Sequence, residues 1–210
     1  MTVMFRQPAD LVDALAAYDW LMAHATDWTS PDTHVFACVL AARLTGSADK
    51  LDDAVGLPVG ALDRMLAKHF SRLPDAAVDP LTRYLRDRRG CGKARSLTEQ
   101  VLAEEMDELR VLLLDHCTAD IDEAHWLAAM VARACLFSDH LWQDLGLTSR
   151  RDLSGLLNRH FHALAARNIG DMKWKKFFYK QLCEREGLNM CKAPSCGVCT
   201  DYKVCFGPEE

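Results

Sequence analysis

The sequence lacks any apolar run of about 18 residues or more, the length a helix needs to cross a bilayer. It lacks a positive surplus as well. Its formal net charge is −5, from 25 Lys and Arg against 30 Asp and Glu, which argues against a general nucleic-acid binder. The opening stretch MTVMFRQPADLVDAL carries an Asp and no small-residue cleavage site, so no signal peptide is read there and the expected location is the cytoplasm. No segment alternates apolar and polar residues as a half-buried strand does, and no repeat of fixed period is visible. No Ser/His/Asp or Cys/His arrangement suggests a nucleophilic triad.

What is present points to a helical protein. The 210 residues are 50% hydrophobic and 26% charged, enough to bury a core and too apolar for disorder. Helical spacing places Leu11, Leu15, Tyr18 and Met22 on one face of a helix from Asp10 to His24. A second helix is expected from Asp32 to Leu44, a third opening at Pro58 and running to Phe70, and a short basic one from Leu81 to Arg88. Ser96 and Glu99 form a capping box before a stripe of Leu102, Met106, Leu109 and Leu113. Asp120 or Asp122 is expected to cap a helix with Trp126, Met130 and Phe137 inside. A short piece follows from His140 to Leu145. Ser149 and Asp152 open a helix that buries Leu153, Leu156, Leu157, Phe161 and Leu164, and a last one runs from Trp174 to Glu186.

The expected class is all-α, a multi-helix globular bundle with an irregular C-terminal Cys-rich metal-binding loop. The helical body covers residues 1–187, divided into an acidic part, 1–80, and a second part, 81–187. The tail is 188–210. Residues 1–80 hold 6 basic against 11 acidic residues, so they read as scaffold and the later chain as the working region.

Nine cysteines need an explanation, because cytosolic thiols are kept reduced and an odd number does not make a disulfide scaffold. Cys38, Cys91, Cys117, Cys135 and Cys183 are dispersed, as small buried hydrophobes are. Cys191, Cys196, Cys199 and Cys205 crowd together in the pattern C-x4-C-x2-C-x5-C. Four thiolates in a reducing compartment call for a soft metal. Structural zinc usually takes two C-x2-C knuckles well apart, and only one is present. The C-x4-C-x2-C portion matches plant-type ferredoxin spacing, so iron–sulfur is favoured and zinc is the alternative. Pro194, Gly197 and Pro208 suit a segment that wraps around something. Val198, Tyr202, Val204 and Phe206 either cover a cluster or pack on the body.

Other clusters carry weaker signals. Gly90 to Ser96 is not a phosphate-binding loop, since the G-x-x-x-x-G-K-[ST] spacing is absent. Arg88, Arg89, Lys93 and Arg95 around it form either an oxyanion or docking patch or a surface patch paired with Glu104, Glu105, Asp107 and Glu108. Lys173, Lys175, Lys176 and Lys180 interleave with Trp174, Phe177, Phe178 and Tyr179, the pattern of an amphipathic helix with its lysines facing water or an acidic partner. His116, His140, His160 and His162 read as structural. Cys183 is a helix-face cysteine that could add a ligand.

The cysteine motif following Met172 to Cys183, together with Arg88-Arg-Gly-Cys-Gly-Lys93 and His140-Leu-Trp-Gln-Asp-Leu-Gly146, resembles the NifQ family, the molybdenum-processing proteins of nitrogen fixation. These landmarks cover roughly residues 85–206. The resemblance implies that Cys191, Cys196, Cys199 and Cys205 hold an iron–sulfur cluster that also carries molybdenum, built on a precursor cluster without it. It implies a metallochaperone and not an enzyme. Molybdate or another molybdenum source would load it. The nitrogenase cofactor-assembly proteins, meaning the scaffold complex and the nitrogenase iron protein, would receive the metal. Neither nucleic acid nor membrane would be a partner. From the residues alone, an iron–sulfur electron-transfer or redox-sensing protein and a zinc-stapled helical interaction protein remain open.

Overall fold

The computed structural model describes residues 13–46, 50–90, 97–187 and 202–207, with the side chains of 97–99 and 202 outside that description. Among the described residues there are twelve helices and no strand, which agrees with the all-α expectation. No described helix is long and apolar enough to cross a membrane. The chain forms two compact units, one of 1–95 with Leu145–Leu147, the other of Ser96–Asp144 with 148–210.

Unit 1 contains α1 (Ala14–Ala23), α2 (Pro31–Gly46), α3 (Leu51–Val55), α4 (Ala61–His69) and α5 (Pro80–Asp87). Asp13 caps α1 by accepting the Ala16 amide at 2.8 Å, and Asp79 caps α5 by accepting that of Thr82 at 2.7 Å, with Pro80 just inside where its missing N–H costs nothing. Every residue of α2 from Val35 to Ala41 is buried. A helix apolar all round belongs at the centre of its unit, and α1 lies along it.

Three expectations for this unit are corrected. Leu15 is 69% exposed, and α1 instead turns Ala17 and Leu21 inward. Ala17 and Leu21, four residues apart, share one helix face, and that face is the buried one. Pro58 does not open a helix. It belongs to a turn, and α4 begins at Ala61 after Gly60, whose φ of 78° suits glycine. Short α3 has no counterpart among the expected helices. The proposed start at Asp10 lies outside the described residues.

Unit 2 contains α6 (Leu97–Leu114), α7 (Asp122–Cys135), α8 (Leu141–Asp144), α9 (Arg150–His160), α10 (His162–Ala165), α11 (Trp174–Arg185) and α12 (Tyr202–Phe206). Helix α7 is its central helix, buried throughout from Trp126 to Ala132, with α6 along it. Ser149 caps α9 as expected, and Leu153, Leu156, Leu157, Phe161 and Leu164 are all buried. Leu109 and Leu113 are buried, while Leu102 is half out in solvent. Neither Asp120 nor Asp122 caps α7. The N-cap is Ile121, which offers no side-chain bond, Asp122 is already helical, and Asp120 pairs with His125 at 2.6 Å. The Ser96–Glu99 capping box lies outside the described residues.

The two halves of the chain repeat one design. Leu62, Leu66, His69, Phe70 and Leu73 answer in order to Leu153, Leu157, His160, Phe161 and Leu164, and Leu51, Gly56 and Leu57 answer to Leu141, Gly146 and Leu147. The local geometry matches. Phe70 ends α4 at φ −132°, ψ 46°, and Phe161 ends α9 at φ −133°, ψ 43°. The carbonyl of His69 accepts the Thr26 amide at 2.8 Å, and that of His160 accepts the Thr118 amide at 2.7 Å. His24 and His116 each bond a carbonyl one turn back through Nδ1, at 2.8 Å. Both glycines are left-handed, Gly56 at φ 75° and Gly146 at φ 71°. The spacing between counterparts drifts by a residue or two, so no fixed period shows in the sequence. After Leu73 and Leu164 the halves part: the first leads into α5, the second into α11 and the C-terminal cysteines.

Candidate metal centre

Of the four clustered cysteines, Cys191, Cys196 and Cys199 lie outside the described residues, as do Pro194, Gly197, Val198 and Pro208. Cys205 lies within them, on α12, as a free and half-buried thiol. Its backbone carbonyl accepts the Lys173 amide at 2.8 Å. The neighbouring Phe206 ring rests on Gly170, where a Cβ would stand 3.1 Å from a ring carbon. Phe206 thus packs on the body, and Val204 is exposed.

The turn that receives α12 is braced on two sides. Asn168 donates from Nδ2 to the Met172 carbonyl and accepts the Met172 amide at Oδ1, both at 2.8 Å. Arg150, in the first turn of α9, donates from Nη2 to the Asp171 carbonyl at 3.0 Å, the Asp171 carboxylate at 2.8 Å and the Met172 carbonyl at 3.0 Å. These bonds hold Asp171 at φ 52°, the one positive value at a non-glycine among the described residues. Lys173, whose amide binds Cys205, also starts α11, accepting the Phe177 amide at 2.9 Å.

Of the scattered cysteines, Cys91 lies outside the described residues. Cys38 and Cys135 are buried and Cys117 and Cys183 half-buried. Burial pushes the Cys135 thiol up to about 12, since a thiolate there would lose its water. Among the described residues, no group of three His, Cys, Asp or Glu side chains is arranged to hold a metal ion.

The basic patch is described only in part, since Lys93 and Arg95 lie outside the described residues. Arg88 donates to the Tyr84 hydroxyl at 2.9 Å and the Leu44 carbonyl at 3.4 Å. Arg89 pairs with Asp63 and lies 4.0 Å from buried Asp52, which also accepts the Gly90 amide at 2.7 Å. These arginines therefore tie down the end of α5 within unit 1. Glu105 and Asp107 find other partners, in Tyr179 and Arg110. His160 is buried, and His116 bonds its own helix.

One cluster escaped the sequence reading. Lys175 does not face water. Its ammonium donates to the Phe137 carbonyl at 2.7 Å and to Asp144 at 2.5 Å, with side-chain exposures of 17% for Lys175 and 8% for Asp144. Beside it, the Tyr179 hydroxyl donates to Glu105, and burial followed by that bond raises the tyrosine's pKa. The repeat supplies a signal that could have found the pair. Asp144 stands where the first half has Ala54, so a carboxylate replaces an apolar core residue.

The model of the NifQ family matches residues 35–207. The chain is 43% identical over 155 residues to Protein NifQ of Azotobacter vinelandii, covering 74% of this chain and 78% of that protein. It is 39% identical over 183 residues to the Protein NifQ homolog of Sinorhizobium fredii, covering 85% of this chain and 73% of that protein. To Protein NifQ of Rhodobacter capsulatus it is 41% identical over 105 residues, half of this chain and 58% of that protein. No solved structure matches.

Proposed function

This chain belongs to the NifQ family, and from that premise we propose that it works in nitrogen fixation as a molybdenum carrier, holding an iron–sulfur cluster with molybdenum and passing the metal on for assembly of the nitrogenase iron–molybdenum cofactor. The observation that carries the reading is the C-x4-C-x2-C-x5-C pattern, whose last thiol, Cys205, is free on a short helix seated on the body. The donor set fits the group. Thiolates are soft ligands suited to iron–sulfur chemistry, and Cys191, Cys196, Cys199 and Cys205 would hold the cluster. The cluster supplies sulfide-bridged iron to which molybdenum can be joined. The protein supplies the ligands and a helical body to carry them.

Nothing in this role requires turnover. A carrier must protect its cargo and then release it, and ligands that follow α11 in the chain can be surrendered without opening the central helix α7. Molybdate or another molybdenum source is the input, and the cofactor-assembly proteins are the acceptors.

Metal and sulfide analysis of anaerobically purified protein tests the proposal. Iron with sulfide and molybdenum supports it. Iron with sulfide but no molybdenum, even after incubation with molybdate and reductant, would favour an electron-transfer or sensing role. Zinc alone, persisting after anaerobic reconstitution with iron and sulfide, would leave a zinc-stapled interaction protein.

A further inference from the structure

We propose that the Asn168–Lys173 turn is a built seat for the last cysteine of the motif, and that Arg150, Asn168 and Gly170 are positioning residues for Cys205. The inference rests on the assignment of Cys205 as a ligand. It goes beyond that assignment by naming residues outside the cysteine motif that set where the thiol stands.

Three observations carry it. Cys205 is joined to the seat through its own backbone, by the 2.8 Å bond from the Lys173 amide, so its main chain cannot shift without breaking that bond. Gly170 leaves open the space that the Phe206 ring fills, the ring belonging to the residue next to Cys205. The turn is braced from outside: one Arg150 nitrogen serves three acceptors on Asp171 and Met172, and Asn168 clamps Met172 in both directions. Bonds to a charged donor are among the stronger ones, and holding Asp171 in the left-handed region needs such support.

The two halves of the repeat brace this region from different positions. Between Leu57 and Leu62 the first half has Pro58, Val59, Gly60 and Ala61. The matching stretch between Leu147 and Leu153 is one residue longer and contains Arg150. The first half has no arginine in that stretch, and its turn after Leu73 is held instead by Arg83, which donates to the Ala76 carbonyl at 3.0 Å and the Ala77 carbonyl at 2.8 Å. The brace from Arg150 belongs to the half that ends in the cysteines. A ligand fixed to the body needs no ordering when the metal arrives, which favours loading and defines one edge of the site.

The test uses the full chain, with and without cluster, in Arg150→Ala, Arg150→Lys and Gly170→Val variants. In the apo protein, peptide-mapped alkylation of Cys205 should run about tenfold faster in Arg150→Ala and in Gly170→Val than in the parent, the ratio expected when one charged hydrogen bond no longer holds the segment. Cys38 and Cys135 should stay protected in both. Arg150→Lys keeps a cationic donor and should restore most of the protection. After anaerobic reconstitution, the Arg150→Ala and Gly170→Val proteins should bind less iron and show altered charge-transfer absorption at unchanged helical circular dichroism. Unchanged Cys205 alkylation in both variants overturns the proposal. So does exposure of Cys38 and Cys135 together with Cys205, which would make Arg150 a general prop of the fold. A parent that takes up no cluster defeats the carrier reading instead, and the apo measurements still decide whether the seat exists.

Discussion

Lys175 turns into the interior of unit 2 to meet Asp144 at 2.5 Å while also donating to the carbonyl of Phe137 at 2.7 Å. One ammonium thereby joins α11 to α8 and to the residues just past the end of α7. Coulomb attraction in a partly dry site is offset by the cost of removing both charges from water, so the pair specifies geometry more than it adds stability.

Breaking that pair on one side should be expensive. Lys175→Met leaves the Asp144 carboxylate buried and the Phe137 carbonyl without this donor, and should cost about 3–5 kcal/mol. The double variant Lys175→Met, Asp144→Leu should recover a large part of the loss, because no charge is then stranded. Urea denaturation of the three proteins checks both statements, and a double variant as unstable as the single one would contradict them.

Stability should depend on Cys135 at alkaline pH. Its folded pKa is raised from 9.0 to about 12 by burial. In the unfolded chain the thiol ionises first, so rising pH favours unfolding. The contribution is fully present below pH 9 and is lost as pH climbs toward 12. Cys135→Ala should flatten this part of the stability curve, and denaturation at several alkaline pH values measures it.

Two left-handed glycines should differ sharply in tolerance. Gly187 at φ 68° has open space around its missing Cβ, so Gly187→Ala should cost only the backbone term, about 1–2 kcal/mol. At Gly146, φ 71°, an added Cβ would stand 2.7 Å from the Cys38 carbonyl oxygen and 2.8 Å from the Ala42 Cβ within unit 1. Gly146→Ala must therefore also displace backbone, and its melting temperature should fall well below that of Gly187→Ala.

Cluster chemistry and body stability should separate. Cys196→Ser or Cys199→Ser should abolish the charge-transfer absorption, since a hydroxyl is a harder and far less ionised ligand, whereas Cys38→Ala or Cys135→Ala should retain it. The apo protein should keep its helical circular dichroism, because the central helices α2 and α7 are buried among helices of their own units, α2 against α1 and α3 and α7 against α6 and α8. Iron retained by a folded Cys196→Ser protein and lost from Cys135→Ala would move the site away from the tail.

Helices with strong local signals were legible in the sequence. Ser149 with Asp152 predicts α9, and Trp174 to Gly187 predicts α11 within a residue or two, because caps and stops act through neighbours. Leu15 shows where such reading fails. Its spacing is right for a buried stripe, but the face of α1 that is buried carries Ala17 and Leu21. The internal repeat was hidden for a related reason. Its clearest marks, the amides of Thr26 and Thr118 on the carbonyls of His69 and His160, are backbone bonds that any residue could supply.

The sequence by itself determined the helical class, the cap of α9, and the four-cysteine pattern that resembles the family's, because each depends on residues close together along the chain. Only the tertiary structure decided that Lys175 faces inward and that Cys205 is seated on the turn braced by Arg150. Each of those brings together atoms far apart in sequence, and side-chain spacing does not reveal which distant partner a free backbone amide or a long cationic side chain will find.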